Sequence, residues 1–96
     1  MEIVEGFEWD DQKATSNLLK HRVSFTRAAF AFRDLFAVEI ADTWQNYGEE
    51  RTLLLGLERS ELLAVIYTEC DATIRIISAR RADAHEQRYY QRQNAK

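Results

Sequence analysis

The apolar residues of this chain change their spacing around Asp34, and that change constrains the fold more than any other feature. Up to Phe36 they recur every three or four positions, as on one face of a helix, at Phe25, Ala28, Ala29, Phe32 and Leu35–Phe36. After it, Val38 and Ile40 alternate with Glu39 and Ala41, as in a strand with one exposed face. The pattern therefore predicts helices followed by strands, with Phe25 and Phe32 in the core.

Helix caps and turns divide the rest of the chain. Asp10 or Asp11 can cap a first helix that ends near residue 20, and Ser24 can cap a second. Asn46–Glu49 predicts a turn, and the apolar run Leu62–Thr68 predicts a central strand. Segments with strand character are 38–41, 52–57, 62–68 and 73–78. The predicted fold class is α+β, with two N-terminal helices packed on one face of a three- to four-stranded antiparallel sheet and the other face left for function.

A C-terminal helix completes the predicted fold. Asp83 is followed three residues later by Glu86, which is the pattern of a reciprocal capping box, and the helix should run to about residue 93. Its apolar residues are few, namely Ala84, Tyr89 and Tyr90. A helix this poor in core residues either frays or docks on another surface.

Length and composition exclude several classes of protein. The 96 residues suit a single domain spanning 1–96, and apolar runs such as Leu53–Leu55 are far too short to cross a membrane. The acidic start Met1–Glu5 is unlike a secretory leader, and the single Cys70 cannot form an internal disulfide, so a cytoplasmic location is expected. The spacing of His21, His85 and Cys70 fits no zinc pattern, so we expect neither a metal site nor a cofactor.

The charge of the chain is unevenly distributed. The net charge is −3, but residues 1–74 hold 7 Lys and Arg against 14 Asp and Glu, whereas residues 75–96 hold 6 against 2. A basic C-terminal fifth on an acidic body indicates one surface suited to an anion, although a solvated terminal helix would give the same count. The polar groups that stand out are Lys20–His21 at a helix end, Glu49–Arg51 at a strand start and Arg75–Arg81 along the last strand.

Several of these motifs, in this order, resemble the BrnT family. The residues that carry the resemblance are Phe7–Asp10, Lys13–Ala14, Asn17–Leu18, Lys20–Phe25, Ala28–Ala29, Tyr47–Arg51, Val65–Thr68 and Arg75–Ala82. They cover about residues 7–90. The family usually has glycine after the Lys–His pair, whereas this chain has Arg22, a bulky cation in place of a helix-terminating residue.

The resemblance implies a ribonuclease toxin of a type II toxin–antitoxin system. Such toxins have a RelE-like fold, cleave RNA without a metal and stop translation. The implied partner is a BrnA-like antitoxin with a ribbon-helix-helix domain. Operator DNA would be bound by this antitoxin, and by the toxin only through it.

Cleavage of RNA without a metal needs a base for the 2′-hydroxyl, an acid for the leaving oxygen and cations for the phosphate. Either His21 or Glu50 is a candidate base, and Arg51 and Arg80 are the first candidates for binding the phosphate. Ser78 can donate a hydrogen bond to the substrate. Further residues expected to bind RNA are Lys20, Arg75 and Arg81.

The alternation of side chains along a strand limits which of these candidate residues can lie in one site. Counting by twos, Ser78 and Arg80 share a face with Ile74 and Ile76, and Arg75 lies on the other face. In a regular strand Arg75 and Arg80 therefore cannot serve one site. A β-bulge between them would bring them together.

Two other functions fit the same residues. The chain could be a non-catalytic module that binds the antitoxin and acts as a transcriptional co-repressor, or a plain nucleic-acid-binding domain that uses its Arg-rich C-terminus. For the antitoxin, we expect a docking surface on the last helix formed by Arg88, Tyr89, Tyr90 and Arg92, since tyrosine and arginine often anchor interfaces.

Overall fold

The computed structural model describes residues 4–42 and 50–95, and within them three helices and five strands form an α+β fold. Their bounds are β1 Phe7–Glu8, α1 Asp11–His21, α2 Phe25–Ala31, β2 Val38–Asp42, β3 Arg51–Glu58, β4 Glu61–Cys70, β5 Thr73–Arg81 and α3 Ala84–Asn94. The turn predicted at Asn46–Glu49 lies outside the described residues. None of the helices in the described ranges has both the length and the apolar character that crossing a membrane requires.

The strands form one sheet in the order β1-β5-β4-β3-β2. Strands β2 to β5 are antiparallel neighbours, whereas β1 pairs in parallel with β5 through Phe7 opposite Ile74 and Glu8 opposite Arg75. The α+β class is confirmed. The prediction of three to four strands, all antiparallel, was wrong for the described residues, because β1 adds a short parallel strand at the edge. The likeness to RelE stays a prediction.

The helices begin where the sequence predicts. The Asp10 side chain accepts hydrogen bonds from the backbone amides of Gln12 and Lys13, and the Ser24 hydroxyl accepts one from Arg27. Each of these oxygens satisfies an amide that has no partner within its helix. Local sequence therefore fixes the start of both helices.

Helices α1 and α2 cover one face of the sheet. The core beneath them includes Phe25, Leu63 and Val65, which are almost fully buried. Phe25 is therefore a core residue as predicted, and the half-buried Phe32 packs edge-on against Tyr67 at a ring separation of 5.0 Å. Close packing of this layer fixes the outward direction of the remaining side chains of the sheet.

The apolar stripe of the second helix ends earlier than its spacing indicates. Helix α2 stops at Ala31, and Leu35 and Phe36 are exposed rather than packed in the core. Asp34 causes the departure, since its carboxylate accepts hydrogen bonds from the amides of Phe36 and Leu57 and fixes a turn there. The assignment of these two residues to the stripe was wrong in this respect.

Helix α3 docks on the opposite face of the sheet. Its capping box is complete, because Asp83 accepts from the Glu86 amide and Glu86 accepts from the Asp83 amide. Tyr89 and Tyr90 pack against a second core cluster that contains Leu55. The sequence left fraying and docking both open, and in the structure α3 docks on the protein's own sheet. It covers one end of the face that was expected to be left for function.

Candidate active site

A β-bulge interrupts β5 at the centre of the predicted site. Ser78 lies opposite Ile66 of β4, but Ile76 lies opposite the next β4 residue, Tyr67, so Ile77 is an extra residue without its own partner. A bulge of this kind reverses the alternation of side chains on the two sides of it. The bulge that the sequence required for a combined site is therefore present.

The bulge places Arg75, Ser78 and Arg80 on the same face of the sheet. By the register with β4 these residues share that face with Ala64 and Ile66, opposite the layer of α1 and α2. A strand rises about 3.3 Å per residue, so Arg75 and Arg80 lie within roughly 15 Å of each other.

Helix α1 closes the edge of β5 beyond the bulge. Asn17 is buried, and its side-chain amide donates to the carbonyl oxygens of Ala79 at 2.7 Å and Val23 at 3.0 Å. Its side-chain oxygen accepts from the Ala79 amide at 3.1 Å. The amide therefore replaces a neighbouring strand, and it holds the C-terminal part of α1 against β5.

This contact creates a polar cleft between α1 and β5. One cavity of about 450 Å³ is lined by residues that include Lys20, His21 and Ser78. An adjoining cavity of about 400 Å³ is lined by residues that include Arg75, and both cavities share Asp10, Lys13 and Ile77. We call this the β5-edge cleft, and its defining residues are Lys13, Lys20, His21, Arg75, Ile77 and Ser78.

The cleft combines four of the residues expected from the sequence, and Lys13 joins them. Lys13 and Lys20 lie seven positions apart on α1, which places them on the same face of the helix. That spacing was the signal that could have identified Lys13. Acidic groups are also present, because Glu8 and Asp10 line the cavity beside Arg75.

Arg22 ends α1 at the position where the resemblance described above leads us to expect glycine. It adopts a left-handed conformation with φ 61° and ψ 28°, and its amide donates to the Leu18 carbonyl oxygen at 2.9 Å. This is the conformation that favours glycine at a helix C-terminus. The end of α1 therefore forms despite the substitution, and His21 lies half-buried at the cleft.

Arg75 and Arg80 each have a carboxylate partner. Arg75 pairs with Glu8 of β1 at 2.6 Å, and both side chains are about half exposed. Arg80 makes a bidentate pair with Glu86 of α3, at 2.7 and 2.8 Å. This pair raises the pKa of Arg80 and lowers the pKa of Glu86 below its usual value. The Glu86 carboxylate thus presents to Arg80 the same pair of oxygens that a phosphate would.

Arg81 lies on the other face of β5, away from Arg80. Its guanidinium donates to Glu61 at 2.7 Å and to the His21 carbonyl oxygen at 3.3 Å. Arg27 of α2 also donates to Glu61, and these hydrogen bonds, that from Arg81 first, hold the pKa of Glu61 below its usual value. Arg81 therefore links the sheet to the helix layer.

Glu50 and Arg51 lie on the far side of β4 from Arg75. The Thr68 hydroxyl of β4 donates to the Glu50 carbonyl oxygen at 2.7 Å, and Thr68 is the residue paired with Arg75. Neighbouring strands are about 4.8 Å apart, so Arg51 and Arg75 are separated by roughly 10 Å across the sheet. The structure thus places Glu50 and Arg51 across β4 from β5, outside the lining of the cleft.

The four residues predicted to bind the antitoxin divide into two pairs. Arg88 and Arg92 are exposed, and the Arg92 guanidinium lies 5.9 Å from the centre of the Tyr89 ring. Tyr89 and Tyr90 are half-buried against the sheet, and the Tyr90 hydroxyl donates to Asp34 at 2.6 Å. Burial and this hydrogen bond raise the pKa of Tyr90 to about 12. The tyrosines therefore attach α3 to its own sheet.

Among residues 4–42 and 50–95, no three His, Cys, Asp or Glu side chains come together as a metal site would need. Cys70 is half-buried and carries a free thiol, and His85 is exposed at the start of α3.

Fold and cleft together define a small α+β protein whose cleft at the sheet edge combines lysine, arginine and histidine side chains with Glu8 and Asp10. The chain matches, over residues 9–86, the model of the family described as the ribonuclease toxin BrnT of type II toxin–antitoxin systems. It belongs to the BrnT family, and the resemblance carried by its motifs is confirmed. A comparison with curated proteins found no matching relative.

Proposed function

We propose that this BrnT-family toxin is a metal-independent endoribonuclease that cleaves single-stranded RNA in the cytoplasm and so inhibits translation. The observation that carries the proposal is the bulge at Ile77, because it aligns Arg75, Ser78 and Arg80 on one face of the sheet. Two of these residues, Arg75 and Ser78, also line the β5-edge cleft with the lysines of α1. Such an array of cations and a hydroxyl is suited to the charge that develops on a phosphate during cleavage.

In this mechanism the 2′-hydroxyl of the RNA attacks the adjacent phosphorus. His21 accepts the 2′-hydroxyl proton, since it lines the same cavity as Ser78, whereas Glu50 lies outside that lining. Ser78 donates a hydrogen bond to a non-bridging phosphate oxygen, and Lys13 stabilises its negative charge. Lys20 donates a proton to the 5′-oxygen as its bond to phosphorus breaks, which leaves a 2′,3′-cyclic phosphate and a 5′-hydroxyl.

The arginines bind the flanking nucleotides. Arg75 holds the phosphate next to the scissile one, and Arg51 extends the contact across the sheet. Arg80 exchanges the Glu86 carboxylate for a phosphate when RNA binds, because both offer two oxygens to its guanidinium. Arg81 contributes through long-range attraction, since its own hydrogen bonds are made to Glu61 and His21.

The test is cleavage of a labelled single-stranded RNA by purified protein in the presence of EDTA. We expect 5′-hydroxyl and cyclic phosphate ends, and a loss of at least about 100-fold in rate for His21→Ala, the usual size of a general-base effect. The matched control is Arg33→Ala, which removes an exposed arginine that packs on Phe30. Cleavage that stops in EDTA and returns with Mg²⁺ would contradict metal independence, and equal loss in both variants would contradict the assigned base.

A BrnA-like ribbon-helix-helix antitoxin is the proposed partner, and operator DNA is bound through it alone. The support is the basic C-terminal part of the chain, where Arg88 and Arg92 are exposed on α3. An acidic antitoxin segment would be attracted there, and that attraction weakens as salt rises. The check is the combined change Arg88→Glu and Arg92→Glu, which should weaken antitoxin binding and remove most of its salt dependence. An unchanged salt dependence would exclude α3 from the interface.

The non-catalytic antitoxin-binding module is the second candidate function. The observation that favours it is that Arg80 and Arg81 are both paired with carboxylates of the chain itself. Growth arrest separates the two functions. If expression without the adjoining antitoxin gene arrests growth for the wild type but not for His21→Ala, catalysis is responsible, whereas equal behaviour of both favours the module.

A further inference from the structure

An exposed apolar patch lies beside α3, at a distance from the β5-edge cleft. Leu35 is 94% exposed, Phe36 is 63% exposed and Leu57 is 43% exposed. Large apolar side chains grouped on a surface in this way are typical of interaction sites. We call these three residues the Leu35 patch.

The Leu35 patch is fixed in shape by Asp34. The Asp34 carboxylate accepts from the amides of Phe36 at 2.9 Å and Leu57 at 2.8 Å, and also from the Tyr90 hydroxyl. These backbone hydrogen bonds, the Leu57 amide first, hold the pKa of Asp34 below its usual value although burial opposes them. A pre-organised surface loses little conformational freedom when a partner binds.

A groove continues from the patch along α3. A cavity of about 460 Å³ between α3 and the β3–β4 turn is lined by residues that include Leu57, Leu62 and Tyr90. Leu57 belongs to both the patch and the groove. An extended or helical segment with apolar side chains on one side could therefore contact the two together.

We propose that the Leu35 patch and this groove dock an amphipathic segment of the antitoxin with acidic residues beside its apolar face. The proposal rests on the antitoxin partner named under the proposed function. It assigns the apolar contacts with that partner to the Leu35 patch and not to Tyr89 and Tyr90, because these two tyrosines are already packed on the sheet. The patch supplies exposed apolar area that those tyrosines do not.

The charges around the patch select this partner. Arg33 is exposed two residues before Leu35, and Asn94 donates to the Phe36 carbonyl oxygen at 3.1 Å, which places the last turn of α3 against the patch. The exposed Arg92 belongs to that turn. Basic residues at the rim attract an acidic segment. A second copy of the chain would bring the same arginines against each other, and like charges facing each other are unfavourable.

The test compares two matched pairs of substitutions in the full-length protein. The variant Leu35→Ser/Phe36→Ser removes the patch, and Leu18→Ser/Leu19→Ser removes two exposed leucines of α1 that are 46% and 70% exposed. The probe is the purified product of the reading frame that adjoins this gene. We expect the patch variant to bind it at least about 100-fold more weakly, and the α1 variant to change by less than about 3-fold.

RNA cleavage in EDTA and molar mass by light scattering are measured on the same proteins. Unchanged RNA cleavage with lost binding supports the docking site. Equal binding by both variants, or no binding by the wild type, overturns it even if cleavage stands. A wild-type dimer that the patch variant converts to a monomer also overturns it, because the patch would then join two copies. If wild type binds and the patch variant does not, but neither cleaves RNA, the docking site stands and the ribonuclease proposal fails.

Discussion

Replacement of Asn17 tests how strongly α1 is held to β5. In Asn17→Ala three hydrogen bonds are lost, two to carbonyl oxygens of Val23 and Ala79 and one from the Ala79 amide. The side chain is 7% exposed, so water replaces these bonds poorly. At roughly 1 kcal/mol for each bond, the free energy of unfolding should fall by about 3 kcal/mol. That is a large share of the ~5–15 kcal/mol that stabilises a typical domain.

Urea unfolding followed by tryptophan fluorescence measures this loss, since Trp9 packs on Phe25 at the base of α1. With a urea dependence of roughly 1–2 kcal/mol per molar, the midpoint should fall by about 1.5–3 M. Ser16→Ala is the matched control on the exposed side of the same helix, and it should leave the midpoint unchanged or slightly higher.

Asn17→Asp adds a test of the direction of the hydrogen bonds. A carboxylate would face the two carbonyl oxygens that now accept from the amide, so its pKa would be raised in the folded protein. The loss of stability should therefore shrink as pH falls and the carboxyl becomes protonated. A difference of less than about 0.5 kcal/mol between Asn17→Ala and Ser16→Ala, within the range of ordinary surface changes, would refute this account of the β5 edge.

Three further predictions follow from individual side chains. Arg22→Gly should raise the free energy of unfolding by about 1 kcal/mol in urea, because φ is 61° there; no gain would mean that the left-handed conformation carries little strain. Glu86→Gln should increase the affinity for single-stranded RNA about 3-fold or more in filter binding, since a neutral amide competes less for Arg80, and unchanged affinity would place Arg80 outside the RNA site. The pKa values of Asp34 and Glu86 lie below 3.8 and 4.5, so the stability that they contribute is present above those values and is lost as pH falls through the lowered ones. The protection factors of the α3 amides against hydrogen exchange should therefore fall below about pH 4 and stay constant between pH 5 and 7.

Features set by neighbouring residues could be predicted from the sequence. Asp10, Ser24 and Asp83 cap the helices as expected, because the amides that they accept from lie within three residues. β1 could not be predicted, since Phe7–Glu8 is two residues long and its pairing depends on a strand almost seventy residues away. The exposure of Leu35 has the same origin, because Asp34 ends the helical pattern by binding the amide of a distant strand.

The candidate site shows the same division. Lys20, His21, Arg75 and Ser78 were identified from residue type and position, and the structure gathers them around one cleft. The bulge that aligns Arg75 with Ser78 and Arg80 could be named as a requirement but not located, since the extra residue Ile77 looks like an ordinary apolar strand residue. The ion pair of Arg80 with α3 was also missed, because it depends on how the helix turns back over the sheet.

The way β5 is completed sets an order of events during synthesis. Its edge is closed by β1, which pairs with Ile74 and Arg75, and by Asn17 of α1, which pairs with Ala79. A chain grows from its N-terminus at about 5–20 residues per second, so the closing segments leave the ribosome first and the strand that they flank arrives last. A nascent chain stopped before β5 carries the lysines of α1 but has no cleft for RNA. The ribosome therefore finishes translating this strand before its product can acquire the surface proposed to act on RNA.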